Sequence, residues 1–164
     1  MESQNYKRVK DIASKEFVTI DANETLERAG KLMLEKRVGL LVVIENGNTI
    51  GVLTAGEWFK SFYLHVANAL PETRFQEGKT AQPELQLARN ENAKKRAGEF
   101  KQMKVKSIMN PHLKTINENA SLTEAVREMK ATDLRRLLIV DENKQVKAVL
   151  GRTRTLVTLL DELS

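Results

Sequence analysis

Two side chains at one predicted corner of the fold are suited to bind a polar ligand: the hydroxyl of Thr54 and the carboxylate of Glu57. They follow the apolar run 50–53, which predicts a strand, and precede an aromatic-rich helical pattern at 58–63. We expect the strand to break at 54–56 and the helix to open at Glu57. Carboxylates accept charge-assisted hydrogen bonds from hydroxyl groups, and unpaired N–H groups at a helix start attract anions. Such a corner can hold a ribose by its hydroxyls and a phosphate by the helix end.

The same pair has a simpler interpretation that needs no ligand. A threonine directly before a helix caps its free N–H groups, and a glutamate in the first turn favours the helix dipole. Because capping alone explains both residue types, the sequence leaves ligand binding and capping open as alternatives.

The elements that position this corner are predicted from periodicity. Two apolar runs, 40–44 and 50–53, flank Asn46-Gly47, which is a strong signal for a hairpin whose turn residues both have positive φ. Before the hairpin we expect a short strand at 17–20 and a helix over 26–37. The apolar face of that helix has three- and four-residue spacing and consists of Leu26, Ala29, Leu32 and Met33.

Most of this pattern occurs twice in the chain. With an offset of 96, nine of the 25 positions in 9–33 are identical to those in 105–129. A one-residue insertion in 142–145 then shifts the offset to 97, at which the last helices align. Internal repetition of this length indicates two copies of one supersecondary unit with the order β-α-β-β-α.

The run Gly51-Val-Leu-Thr54-x-x-Glu57 resembles the ribose-binding signature of CBS domains, in which the acid is usually aspartate. CBS domains usually occur as tandem pairs called Bateman modules, and the resemblance covers about 9–64 and 105–160. It implies an α+β fold of two pseudo-symmetric β-α-β-β-α units packed sheet to sheet, with a helical insertion between them.

The composition between the repeats sets the domain boundaries. We assign CBS unit 1 to 1–64, a polar, basic and helical insertion to 65–104, and CBS unit 2 to 105–164. The insertion has eight Lys or Arg and five Asp or Glu residues, so it holds +3 of the net charge of +5. Its basic centre, Lys94-Lys95-Arg96, is interpreted either as part of a solvated linker or as a basic docking arm.

The resemblance also implies a set of nucleotide-binding residues in repeat 1. Thr54 and Glu57 would hold the ribose, and backbone groups near 17–20 and 38–40 would read the adenine edge. The apolar side chains of Val18, Ile20 and Leu40 would cover the faces of the ring. The full set is Phe17, Val18, Thr19, Ile20, Val38, Gly39, Leu40, Thr54 and Glu57.

The corresponding corner of repeat 2 lacks the signature. Gly151 stands where the hydroxyl is expected and Arg154 where the acid is expected; the other possible offset gives Leu150 and Thr153, still without an acid. We therefore do not expect a ribose there in the family's usual way. Guanidinium groups recognise phosphate through two hydrogen bonds at once. The arginines near this corner are interpreted either as phosphate contacts for a nucleotide whose nucleoside lies in repeat 1 or as a solvated basic surface. They are Arg135, Arg136, Arg152 and Arg154.

No catalytic constellation emerges from the sequence. The chain has no cysteine, and its two histidines, His65 and His112, stand alone, so we expect neither a metal site nor a nucleophile–base pair. There is no apolar run of the length that a membrane span needs, which is about 18 residues or more. We therefore expect a cytoplasmic protein that is not an enzyme and has no catalytic cofactor.

The resemblance implies a regulatory module that senses an adenine nucleotide in the cleft between the CBS units and transmits this to a partner protein. The ligand class includes AMP, ATP, S-adenosylmethionine and cyclic di-AMP. We also expect a homodimer formed through helices, to which the aromatic-rich stretch 58–63 offers apolar surface. Two alternatives stay open: a CBS scaffold for dimerisation that has lost its ligand, and nucleic-acid binding through the basic insertion.

Overall fold

The computed structural model describes residues 7–67, 90–132 and 134–164. The chain divides into two compact units, Val18–Pro111 and Met1–Phe17 together with His112–Ser164. We call these the repeat-1 unit and the repeat-2 unit. The boundaries predicted above, at 64/65 and 104/105, follow the sequence repeats, whereas each compact unit also includes residues from the start of the other repeat.

Each unit contains the predicted order of strands and helices. The repeat-1 unit consists of β1 (Val18–Asp21), α2 (Leu26–Lys36), β2 (Leu40–Glu45), β3 (Asn48–Thr54), α3 (Ala55–His65), α4 (Glu91–Gln102) and a 3₁₀ turn (Val105–Ser107). The repeat-2 unit consists of α1 (Val9–Ile12), β4 (Thr115–Asn117), α5 (Leu122–Thr132), β5 (Arg136–Val140), β6 (Val146–Gly151) and α6 (Arg152–Leu163). The predicted α+β fold with two β-α-β-β-α repeats is confirmed.

The two sheets have the same topology. In the repeat-1 unit the order is β1-β2-β3, with β1 parallel to β2 and β2 antiparallel to β3. In the repeat-2 unit β4 is parallel to β5, and β5 is antiparallel to β6. The β2–β3 turn has φ of 50° at Asn46 and 77° at Gly47, so the prediction of two positive φ values from Asn-Gly is confirmed.

The third strand of each sheet is paired by a segment from outside its own repeat. In the repeat-1 unit, Val52 and Asn110 exchange two backbone hydrogen bonds of 3.0 and 2.8 Å. In the repeat-2 unit, Ser14 and Val149 exchange two bonds of 2.9 Å. These bridges occupy backbone groups that an uncovered edge strand would expose to other chains.

The core of the repeat-1 unit extends into the predicted insertion. Trp58 stacks on Phe62, and both rings meet the edge of Phe100 from α4 at 5.2 and 5.6 Å between centroids. The Trp58 Nε1–H also donates to the carbonyl of Leu26 at 2.9 Å, which ties α3 to the start of α2. Of the insertion 65–104, residues 68–89 lie outside the described residues.

The predicted break between strand and helix at 54–56 is wrong. α3 begins at Ala55, directly after β3, and Glu57 is its third residue rather than its first. The reason is that Thr54 ends the strand and caps the helix at once, so no connecting residues are needed.

The packing around Gly51 gives a testable prediction. A Cβ at this residue would lie 2.8 Å from the carbonyl oxygen of Asn110 and 2.8 Å from the sulfur of Met109. We expect Gly51→Ala to lower the free energy of unfolding by roughly 1–3 kcal/mol, because overpacking must displace the paired segment. Gly98→Ala in α4 is the control, since its Cβ would meet nothing within 4 Å; it should stabilise by up to about 1 kcal/mol. Urea unfolding measures both changes, and equal effects would contradict the prediction.

Candidate functional site

The Thr54–Glu57 corner lies where β2, β3 and α3 meet. Thr54 is paired with Leu40 at the end of the β2–β3 ladder, and the N–H of Ala55 donates to the carbonyl of Gly39 at 3.0 Å. These contacts bring the backbone at 39–40 next to the start of α3. Thr54 and Glu57 are both half-buried.

Within this corner the two side chains form a capping box. The Thr54 hydroxyl oxygen accepts from the N–H of Glu57 at 3.2 Å, and Glu57 Oε2 accepts from the N–H of Thr54 at 2.7 Å. The Thr54 hydroxyl and the same Oε2 lie 2.9 Å apart. The capping interpretation is therefore realised in the structure, while ribose binding stays a prediction.

A second capping box with nearly identical geometry occurs at the start of α5. Glu124 Oε2 accepts from the N–H of Ser121 at 2.7 Å and from its hydroxyl at 2.8 Å, and the Ser121 hydroxyl oxygen accepts from the N–H of Glu124 at 3.2 Å. These bonds from Ser121 lower the pKa of the Glu124 carboxyl below its usual 4.5. Because this box lies outside the ribose signature, box geometry alone does not distinguish a ligand site from a helix cap.

The other predicted nucleotide-binding residues have different environments. Val18, Val38, Gly39 and Leu40 are half-buried, and Thr19 is exposed. The side chain of Ile20 is only 5% exposed and packs in the core, so it has only backbone groups to offer a ligand. Phe17 is the last residue of the N-terminal segment that belongs to the repeat-2 unit.

The four predicted phosphate-contacting arginines come together in the repeat-2 unit. Arg136 is paired with Gly151, and the N–H of Arg152 donates to the carbonyl of Arg135 at 2.9 Å, so the start of β5 adjoins the start of α6. A cleft of about 390 Å³ is formed there. It is lined by Arg135, Arg136, Gly151, Arg152, Thr153 and Arg154. We call it the arginine cleft.

The start of α6 differs from that of α3 in its capping. Gly151 is the N-cap residue and provides no side-chain hydrogen bond, and the first turn contains no acid. Arg154, which aligns with Glu57, instead extends its Nη1–H to the carbonyl of Ile12 at 3.1 Å. The first turn of α6 therefore contains arginines and has no side-chain cap, whereas the first turn of α3 contains the glutamate of a capping box.

A neighbouring cleft between α5 and α6 was not predicted from the sequence. It has a volume of about 270 Å³ and is lined by Val126, Met129, Lys130, Arg152 and Leu156. Met129 repeats Met33, which was read as a core position, so the only sequence signal here favoured burial. Thr153 was likewise missed as a lining residue of the arginine cleft.

The basic centre of the insertion is partly engaged within the chain. Lys94 forms an ion pair with Glu91 at 2.8 Å, and Arg96 contacts the carbonyl of His65 at 3.5 Å. The described ranges bring together no group of three His, Asp or Glu side chains that could hold a metal ion. No helix within those ranges is both long and apolar enough to cross a membrane.

Comparisons with known proteins agree with this architecture. Residues 9–62 and 105–157 match the family model of the CBS domain. The CBS domain-containing protein YhcV of Bacillus subtilis is 28% identical over 141 residues, which cover 86% of this chain and 78% of that protein. The uncharacterized protein MJ1404 of Methanocaldococcus jannaschii is 26% identical over 153 residues, 88% of this chain; the chain spans only 30% of that relative's length.

A solved structure extends the comparison to the fold. The crystal structure of CBSX2, a CBS-pair protein of Arabidopsis thaliana, was determined in complex with AMP. It is similar to this chain with a TM-score of 0.67 at 19% identity, and the match covers 98% of this chain and 100% of that one.

The capping box of α5 gives a prediction about pH. Because folding lowers the pKa of Glu124, its contribution to stability is present above pH 4.5 and is lost as the pH falls through the folded-state pKa. We expect Glu124→Gln to lower the urea midpoint near pH 7, and the difference from the parent should shrink as the pH falls below 4.5. Glu128→Gln on the same helix controls for the loss of one charge. A difference that stays constant from neutral to acid pH would contradict this role of the carboxylate.

Proposed function

The chain belongs to the CBS domain family, and we propose that it is a regulatory module that binds an adenine nucleotide, not an enzyme. The observation that carries this proposal is the Thr54–Glu57 pair beside the backbone of Gly39 and Leu40. A hydroxyl, a carboxylate and strand-end peptide groups then lie within one corner. These groups match the donors and acceptors of a nucleoside.

The ribose part of the proposal uses the second oxygen of Glu57. Both hydrogen bonds that hold this carboxylate in the capping box end on Oε2. Within the part of the chain that the structure describes, Oε1 makes no hydrogen bond to the protein, so it is available to a ribose hydroxyl. The capping box would then hold the carboxylate in place before the ligand arrives, which lowers the entropic cost of binding.

The adenine part uses the half-buried strand ends beside the corner. Val18 and Leu40 offer apolar side chains, and the peptide groups at 17–20 and 38–40 offer donors and acceptors to the edge of the ring. The core position of Ile20 restricts its share to the backbone. Of the full set proposed for the nucleoside, Val18, Leu40, Thr54 and Glu57 are therefore the side chains to vary first.

The phosphate part uses the arginine cleft. Arg135, Arg136, Arg152 and Arg154 surround one opening with guanidinium groups, which suit the tetrahedral oxygens of a phosphate. CBSX2, whose fold is similar, binds AMP in its crystal structure, and this makes AMP the first nucleotide to test. ATP, S-adenosylmethionine and cyclic di-AMP remain the other members of the proposed ligand class.

We propose further that the ligand acts on a partner protein by changing which conformation of the module is populated. A ligand shifts such an equilibrium only by its difference in affinity for the two states. The proposal includes a regulated partner protein and a cytoplasmic location, both of which were expected from the sequence.

The competing proposal is a ligand-free CBS scaffold. The specific observation in its favour is the capping box at Ser121 and Glu124, which has the same geometry as the proposed ribose corner without the ribose signature. If capping is the whole role of Thr54 and Glu57, the module would act through its surfaces alone.

Exposed apolar side chains support a homodimer under either proposal. On α3, Phe59 is 64% exposed and Tyr63 is 53% exposed, whereas Trp58 and Phe62 of the same helix pack inward. On α6 the exposed apolar residues are Leu156, Val157, Leu160 and Leu163. Each unit thus has a helix with an outward apolar face, which is the kind of surface that a second copy can cover.

The ribose proposal predicts a specific loss on substitution of Glu57. Glu57→Gln keeps a side chain that can complete the capping box but removes the negative charge. We expect it to lower the affinity for adenosine and for AMP alike. We expect Glu57→Ala to cost roughly 1.5–3 kcal/mol of binding free energy, or about one to two powers of ten in affinity. Titration calorimetry with both ligands measures the effect.

Glu124→Gln is the matched control for that experiment, because it changes a capping box of the same geometry outside the corner. It should leave adenosine binding unchanged. Unchanged adenosine binding in Glu57→Gln and Glu57→Ala would make capping the sole role of the pair. If none of the proposed adenine compounds binds the parent protein, the scaffold proposal takes precedence.

The dimer proposal predicts that charges on the apolar helix faces prevent association. We expect the parent to sediment as a dimer at micromolar concentration, and Tyr63→Glu or Leu160→Glu to weaken the dimer by roughly tenfold or more. Leu34→Glu is the control, since Leu34 on α2 is 80% exposed but lies on neither face. A parent protein that sediments as a monomer, or three variants with equal effects, would contradict the proposal.

A further inference from the structure

The arginine cleft brings four guanidinium groups around one opening. Arg135 and Arg136 approach it from the start of β5, and Arg152 and Arg154 approach it from the first turn of α6. The ion pairs found among the described residues involve neither Arg135, Arg136 nor Arg154. Like charges around one opening repel each other, so an anion bound among them lowers the electrostatic energy.

The equivalent corner of the repeat-1 unit already contains an anion, which is the carboxylate of Glu57. There the carboxylate of Glu57 lies over the first turn of α3 and accepts from the N–H of Thr54 at 2.7 Å. In the repeat-2 unit the acid is replaced by Arg154, and the capping hydroxyl is replaced by Gly151. The chain therefore supplies its own anion at α3 and supplies cations at α6.

The space for an external anion is open at Gly151. A Cβ built on Gly151 meets nothing within 4 Å, so the neighbourhood of this residue is not filled by protein. The cleft volume of about 390 Å³ lies within the range of small-ligand sites, roughly 300–1,000 Å³. It therefore has room for a phosphate group and a small substituent.

Arg154 is held in place before any ligand binds. Its Nη1–H donates to the carbonyl of Ile12 at 3.1 Å, which restrains the long side chain while other N–H groups of the guanidinium remain for a ligand. Restraint of this kind reduces the side-chain entropy that phosphate binding must overcome.

From these observations we infer that the arginine cleft is an anion site in its own right, which binds inorganic phosphate or a phosphate monoester without a nucleoside. The phosphate takes the place over α6 that the Glu57 carboxylate has over α3. Phosphate has a charge of about −1.5 to −2 at pH 7 and three or more acceptor oxygens, so it can bind several guanidinium groups at once. A carboxylate has a single charge and two oxygens, and is less suited to such a cluster. This inference rests on the phosphate part of the proposed function and is independent of the nucleoside part.

The direct test is calorimetric titration of the full chain with inorganic phosphate, AMP and adenosine at constant ionic strength, set with sodium chloride. We expect phosphate to bind the parent and to raise its melting temperature. Arg135→Gln and Arg154→Gln should each lower the affinity for phosphate by roughly tenfold. Arg127→Gln is the control, because it removes one charge from the same unit outside the cleft.

A second variant keeps the test decisive if single arginine changes perturb folding. Gly151→Thr combined with Arg154→Glu restores the hydroxyl and acid of the α3 corner at α6, and the open space at Gly151 accommodates the new side chain. We expect this double variant to be more heat-stable than the parent without phosphate and to have lost phosphate binding. Glu57→Gln should retain phosphate binding, which separates this site from the nucleoside corner.

The results separate this inference from the proposed function. Phosphate binding that survives in Arg135→Gln, Arg154→Gln and the double variant would overturn the inference. So would the absence of phosphate binding by the parent up to about 10 mM, or binding that requires adenosine. Failure of adenosine to bind would overturn the nucleoside proposal and leave the phosphate site standing.

Discussion

Each three-stranded sheet depends on a backbone bridge to a segment at the start of the other repeat in the sequence. Val52 exchanges two hydrogen bonds with Asn110, and Val149 does so with Ser14. The bridging residues are 96 positions apart and their strand partners 97 apart, as in the repeats themselves. Because the third strand would otherwise present an open edge, neither repeat completes its sheet from its own sequence.

The two units differ in chemistry at the start of the helix that follows each hairpin. At α3 a threonine and a glutamate satisfy the helix end from within. At α6 a glycine and several arginines leave the helix end without a side-chain cap. The backbone geometry on either side is conserved between the units, so the difference is one of side chains. A change of this kind alters what binds while leaving the sheet unchanged.

Much of the fold was predictable from the sequence because it is set by local signals. Asn46-Gly47 fixed the hairpin turn through its φ preference, and the spacing of Leu26, Ala29, Leu32 and Met33 gave the buried face of α2. The start of α3 was misplaced because a break was predicted at 54–56, whereas Thr54 caps the helix directly, as the capping alternative implies. The site is harder still: the same box at Ser121 shows that residue type and spacing cannot separate capping from binding. The bridge of Asn110 to Val52 joins residues far apart in sequence, beyond the reach of a local pattern.

The two helices that begin at the candidate ligand corners also have exposed apolar faces. α3 starts at Thr54 and exposes Phe59 and Tyr63, and α6 starts at the arginine cleft and exposes Leu160 among others. An α-helix transmits a displacement of its first turn along its axis because its hydrogen bonds run in that direction. A ligand at such a corner would therefore act on the same rigid element that presents the outward surface. Regulation by this module needs no long chain of side-chain contacts, only a ligand that prefers one placement of the helix to another.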